Sequence, residues 1–137
     1  MVQAKQLASV YEKYDHVYVT FAGGVADEMK KSAKVRTVPD LMRRNPLSWI
    51  AVVACSCRAA LVERPDVVIS TGAGAVVFFC VFAKLLGAKL IFLESMAKVT
   101  RPTWTARLLY PFADLFMVQW PGLLKFFPKA KFLGRLF

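Results

Sequence analysis

The chain has one histidine, His16. A Ser-His-Asp triad cannot be assembled around it, because His16 sits just ahead of a strand-like run and has no second histidine to share the work of a metal site. Cysteine is scarce too. Cys55, Cys57 and Cys80 all fall in apolar helix patterns. An odd count without secretion argues for reduced thiols in a cytoplasmic compartment. Cys55-Ser56-Cys57 lacks the second pair that zinc needs, so no metal is expected. Acidic residues are few, nine Asp and Glu against nineteen Lys and Arg. Met1 is followed by a polar, helix-like start, so no signal peptide is expected. There is no Gly-Lys-Ser/Thr, which excludes a P-loop ATPase. Long charge-free runs are also missing. Val67–Ala83 is broken by Gly72 and Gly74, and Asn45–Cys57 falls short of the roughly 20 residues that span a bilayer.

What is abundant is apolar surface and positive charge. Apolar residues make up 57% of the chain, against about 45–50% in ordinary soluble domains. The net charge of +10 divides into +3 for residues 1–83 and +7 for residues 84–137. An apolar, basic chain of one-domain length suits peripheral or monotopic association with an anionic membrane surface. A merely basic surface is the plain alternative. Nucleic acid is not expected, since there is neither an exposed basic run nor a known binding module.

The hydrophobic pattern alternates helix and strand. Helices are expected over residues 3–14, 26–32, 46–63, 74–86, near 103–112, and briefly over 121–127. Strands are expected over residues 17–21, 34–38, 67–71, 90–93 and 115–119, with a last strand or exit segment at 131–133. Pro46 suits a helix start, Arg64-Pro65 a helix end, and Gly87 a position just past a helix. Apolar strands alternating with helices imply one α/β domain, a Rossmann-like parallel sheet with helices on both faces.

Three features of this pattern could carry chemistry. The first is strand, glycine turn and helix at Pro65-Asp66-Val67-Val68-Ile69-Ser70-Thr71-Gly72-Ala73-Gly74-Ala75. Glycines there let backbone N–H groups approach an anionic ligand. They serve equally well as a tight turn, and Val77 stands where a third fingerprint glycine would fall. The second is Glu94-Ser95 at the carboxyl end of a strand, the edge where open α/β sheets bind ligands. Glu94 could meet a sugar hydroxyl or cap the turn that follows. The third is the cationic set Lys98, Arg101 and Arg107, which could meet a diphosphate or simply be solvated. Separately, the helix from Pro46 is apolar all round and follows Arg43-Arg44. Trp49, Ile50 and Val53 would contact a membrane in an interfacial anchor, or pack against the sheet in a buried helix.

From Pro65 onward the chain resembles the Alg14 family and its bacterial PssD and CpsF relatives. The matching stretches are residues 65–74, Ala83-Lys84-Leu85-Leu86-Gly87-Ala88-Lys89, Ile91-Phe92-Leu93-Glu94-Ser95, Arg107-Leu108-Leu109-Tyr110-Pro111, Ala113-Asp114-Leu115-Phe116 and Val118-Gln119-Trp120-Pro121. Lys125-Phe126-Phe127-Pro128-Lys129-Ala130 continues them, and residues 5–21 are compatible. The resemblance implies the N-terminal, acceptor-side half of a GT-B glycosyltransferase. It also implies a separate catalytic partner of the Alg13 or PssE type that holds the UDP-sugar, so no cofactor is expected on this chain. The acceptor would be a polyprenyl-diphosphate-linked sugar presented at a membrane. The location would be the cytoplasmic face of a bacterial plasma membrane, or of the endoplasmic reticulum in a eukaryote.

On that reading the acceptor cleft is lined by Thr71, Gly72, Gly74, Glu94, Ser95, Arg101 and Arg107, and the catalytic base is unassigned. The sugar moved would be N-acetylglucosamine, glucose or galactose. The family's opening strand and its Gly-Gly-His loop have no counterpart here. The sheet should therefore be interrupted between strands 17–21 and 67–71, and the sequence is expected to be N-terminally truncated. Two other functions stay open: a non-catalytic anchor for the partner, and an unrelated Rossmann-type nucleotide-binding enzyme.

Overall fold

The computed structural model describes residues 7–39, 45–95, 97, 100–132 and 134. The order is α1 (Ala8–Tyr11), β1 (Tyr18–Phe21), α2 (Gly24–Met29), β2 (Val35–Val38), α3 (Pro46–Glu63) and β3 (Val67–Ser70). A 3-10 turn (Gly74–Val76) then leads into α4 (Val77–Leu85), followed by β4 (Lys89–Leu93), α5 (Trp104–Leu109), β5 (Leu115–Met117) and a 3-10 turn (Pro121–Leu123). The expected alternation holds, but most elements are shorter than the apolar runs that announce them. The last expected strand is a single bridge between Met117 and Lys131. Leu133 and the start of the expected first helix lie outside the described residues.

The strands are parallel and fall into two sheets, β1–β2 and β3–β4–β5. Among the described residues no ladder joins β1 to β3. Both sheets still share one core. Val38 of β2 is buried in the same cluster as Val68, Leu90 and Phe92, and Val19 of β1 packs against it.

Alternation along the strands decides what that core contains. In register, Val68 pairs with Leu90 and Ser70 with Phe92, and Phe92 pairs with Phe116. Leu90, Phe92 and Phe116 are buried, while Val67 and Ile69 on the opposite face of β3 stay exposed. Phe92 and Phe116 stack with ring centroids 4.8 Å apart. From α4, the side chains Val77, Phe79, Cys80 and Ala83 complete the layer.

Local chemistry sets the helix ends. The Asn45 side chain accepts the Leu47 N–H at 3.0 Å, and Pro46 follows at the first helical position. Arg64 closes α3 in the left-handed region at φ 39. Gly87 does the same after α4 at φ 100. Asp114 then ties three elements together: its carboxylate accepts the Lys84 ammonium at 2.7 Å and the Leu90 N–H at 2.7 Å. The Lys84 bond, helped by the Leu90 N–H, holds the Asp114 carboxyl below its ordinary pKa.

One difference concerns α3. Its charge-free stretch looked too short to span, yet the helix runs 18 residues, long and apolar enough to cross a membrane by length and composition. Its buried residues are Val52, Ser56 and Ala60. That narrow stripe packs on the protein, and α4 is the main neighbour. Most of the remaining circumference is open, with Leu47 71% and Ile50 67% exposed.

Candidate functional site

The carboxyl ends of β3 and β4 bring together the glycine turn, Glu94 and the start of α5. Parallel pairing makes this unavoidable, since Ser70 sits beside Phe92 and both chains leave the sheet on the same side.

The turn needs its first glycine. Gly72 has φ 90, a conformation that disfavours any side chain. Gly74 answers a different demand. A Cβ there would stand 3.2 Å from the Trp104 ring, so the α5 start closes tightly over the turn. Thr71 is half-buried beside them.

Glu94 is fully buried. Its Oε1 accepts the Ser95 N–H at 3.0 Å and the Thr103 hydroxyl at 3.1 Å. Its Oε2 lies 3.4 Å from the Thr103 N–H and 3.2 Å from the same hydroxyl. Of the two uses the sequence left open, this is the geometry of a group that closes the following loop. The Thr103 Oγ1 also accepts the Ala106 N–H at 3.1 Å, which caps α5. It lies 2.9 Å from the Thr105 Oγ1, and Thr105 donates to the Gly72 carbonyl at 3.2 Å. One chain of contacts thus runs Glu94, Thr103, Thr105, Gly72. Sequence reading missed Thr103 and Thr105. The signal was present as Thr103-Trp104-Thr105, a cap residue ahead of a short helix, but nothing local told which carboxylate they meet.

Gln119 was likewise missed. It is buried just past β5, where its side-chain N–H reaches the Glu94 carbonyl at 3.5 Å while its own Oε1 has no partner among the described residues.

The cations sit on the outside of this unit. Arg101 precedes α5 and Arg107 lies within it, and both are exposed. Lys98 lies outside the described residues. Ser95 is half-buried, with its hydroxyl accepting the Ala97 N–H at 3.3 Å. The exposed guanidinium groups can meet an anionic ligand, while the buried Glu94 carboxylate is taken up by the Ser95 and Thr103 groups. Among the described residues no cluster of His, Cys, Asp and Glu could hold a metal ion. A hollow of about 660 Å³ lined by Arg64, Asp66, Leu86 and Lys89 lies at the opposite, amino-terminal edge of β3 and β4.

Of the three residues expected at a membrane, Ile50 is the most exposed, Val53 is half-buried, and Trp49 is 38% exposed with its ring edge-on to Phe78 at 6.2 Å. Arg43 and Arg44 lie outside the described residues.

Comparison with known proteins adds a family. The one described as "Oligosaccharide biosynthesis protein Alg14 like" matches residues 3–136. Among individual relatives, "UDP-N-acetylglucosamine transferase subunit alg14" of Schizosaccharomyces pombe is 39% identical over 75 residues, 51% of this chain and 36% of the relative. The similarly named human protein is 35% identical over 79 residues, 53% of this chain and 37% of the relative. That of Yarrowia lipolytica is 34% identical over 80 residues, 54% and 37%. The matched part of the chain therefore spans little more than a third of the length of these relatives.

Proposed function

The chain belongs to the Alg14-like family of oligosaccharide biosynthesis proteins, and on that premise we propose that it is the acceptor-side subunit of a membrane-associated UDP-N-acetylglucosamine transferase. The match over residues 3–136 is the observation that carries this reading. The names of the relatives favour N-acetylglucosamine over glucose or galactose. Their sources, yeasts and human, favour the endoplasmic reticulum over a bacterial plasma membrane. The word "subunit" in those names supports a partner chain, and in this reading that partner binds the donor and is of the Alg13 type.

In this reading the carboxyl edge of β3 and β4 faces the acceptor. Arg101 and Arg107, both exposed, meet the diphosphate of a polyprenyl-linked sugar. Glu94 holds the loop and α5 in place from within. The partner supplies the UDP-sugar site, and the exposed side of α3 meets the lipid. Every step this chain performs is binding and orientation: it sets the acceptor where the partner's donor can reach it.

The test is transfer from labelled UDP-N-acetylglucosamine to a polyprenyl-diphosphate-linked acceptor. The partner is assayed alone and co-expressed with this chain. Transfer that does not depend on the chain sinks the reading. A purely anchoring role is separated by Arg101→Ala with Arg107→Ala: an anchor keeps both recruitment and transfer, whereas an acceptor site keeps recruitment and loses transfer.

A further inference from the structure

Thr105 is 2% exposed, and its hydroxyl joins two elements far apart in sequence, α5 and the glycine turn. A buried threonine that served packing alone could be valine. Here the oxygen donates to the Gly72 carbonyl at 3.2 Å and lies 2.9 Å from the Thr103 oxygen, which reaches both oxygens of Glu94. The bonded Gly72 carbonyl belongs to the residue held at positive φ. Fixing that carbonyl fixes the direction of the turn. At the other end, Thr103 caps the helix that carries Arg107 and follows Arg101 by two residues.

We propose that Thr105, acting with Thr103, is a positioning residue that locks the glycine turn to α5 and so sets where Arg101 and Arg107 meet the acceptor's diphosphate. The proposal rests on the acceptor-side reading above. It assigns Thr105 no contact with substrate. Its effect passes through the Gly72 carbonyl and through the orientation of α5, and it therefore bears on acceptor binding far more than on donor binding or on the chemical step.

The experiment uses the full chain in complex with its partner and compares wild type, Thr105→Val and Thr105→Ser. Valine keeps the branched shape and deletes the hydroxyl; serine restores the hydroxyl. Thr105→Ala is made in parallel, so that a valine variant that does not fold leaves the test standing. Initial rates are measured against a synthetic polyprenyl-diphosphate-linked sugar and, separately, against UDP-N-acetylglucosamine. The expected result for loss of the hydroxyl is a rise of about tenfold in acceptor KM, the scale of one net hydrogen bond. Donor KM and kcat should stay within about twofold, and serine should recover most of the loss. An unchanged acceptor KM, an equal rise in both KM values, or failure of serine to rescue overturns the proposal.

Hydrogen exchange separates this proposal from the reading it rests on. With the hydroxyl removed, amides in the 72–76 turn should exchange about tenfold faster, together with those of α5. Acceleration confined to α5 overturns the locking role whether or not transfer is observed. A wild-type complex without transfer removes the acceptor-side reading and with it the diphosphate part of the proposal, while the lock itself still stands or falls on the exchange data.

Discussion

Thr103 and Glu94 meet through two different groups: the threonine hydroxyl lies 3.1 Å and 3.2 Å from the two carboxylate oxygens, and its N–H lies 3.4 Å from one of them. The same hydroxyl caps α5. Deleting it removes a cap, worth about 1 kcal/mol, and takes a donor from a buried carboxylate, at about 1–3 kcal/mol. Thr103→Ala should destabilise the chain by about 2–3 kcal/mol in urea denaturation, and Thr103→Ser by less than about 1 kcal/mol. Equal midpoints for the alanine variant and wild type would show that the contact carries no stability.

Gly72 and Gly74 should respond differently to alanine. At Gly72, φ 90 makes a Cβ costly whatever the space around it, by about 1–2 kcal/mol. At Gly74 the obstacle is steric, the Trp104 ring at 3.2 Å, and that ring is 40% exposed, with open space to shift the few tenths of an ångström needed. Thermal unfolding should rank Gly72→Ala well below Gly74→Ala. The reverse ranking would mean that closure of α5 over the turn, and not backbone direction, is what the loop needs.

How much of this was legible beforehand depends on the range of each interaction. Helix α3 was readable to the residue, because Pro46 and Arg64-Pro65 mark its ends locally. The carboxyl-edge site was readable as three separate features but not as one unit. Thr105 and Gly72 are 33 residues apart, and Glu94 and Thr103 nine apart. No local periodicity encodes that they touch. The strand at 115–119 was overextended because apolar Val118 continues the run and is buried, while it and Gln119 lie beyond the ladder. Burial was legible there and hydrogen bonding was not.

Arg64 offers a stabilising change. It occupies the left-handed region at φ 39, where glycine is unstrained and other residues cost about 1 kcal/mol. The Arg64 side chain is exposed and, among the described residues, makes a single 3.3 Å bond to the Leu61 carbonyl. Arg64→Gly should therefore raise stability by about 0.5–1 kcal/mol. A loss of stability would show that the guanidinium contact outweighs the backbone strain.

Cys80 gives a pH dependence. Burial pushes its thiol pKa from 9.0 up to about 11, partly offset by the Ser70 hydroxyl. The folded state keeps the thiol neutral while the unfolded chain ionises it. The contribution is thus fully present below pH 9 and is lost as the pH climbs from about 9 toward 11. Its full size is about 2–3 kcal/mol. Cys80→Ala lowers stability at every pH through the cavity it leaves, yet its urea midpoint should fall less steeply than wild type across that window. Parallel slopes would show that ionisation of Cys80 is not linked to folding.

The outer side of α3 bears directly on membrane contact. Leu47 and Ile50 are 71% and 67% exposed, one turn apart on a helix otherwise poor in charge. Neither supports the core, so glutamate at both positions should leave the melting temperature nearly unchanged. Val52, fully buried, is the control that must fail: Val52→Glu should unfold the chain. If the exposed side enters the lipid interface, each apolar side chain transferred contributes about 1.5–3 kcal/mol. Leu47→Glu with Ile50→Glu should then weaken cosedimentation with anionic vesicles by at least about tenfold, and the chain's net charge of +10 would leave a weak residual affinity that 0.5 M salt, used as a roughly chosen screening condition, abolishes. Undiminished vesicle binding by the folded double variant would remove α3 as the membrane-contacting element. It would also require another explanation for why a helix this apolar buries only the stripe formed by Val52, Ser56 and Ala60.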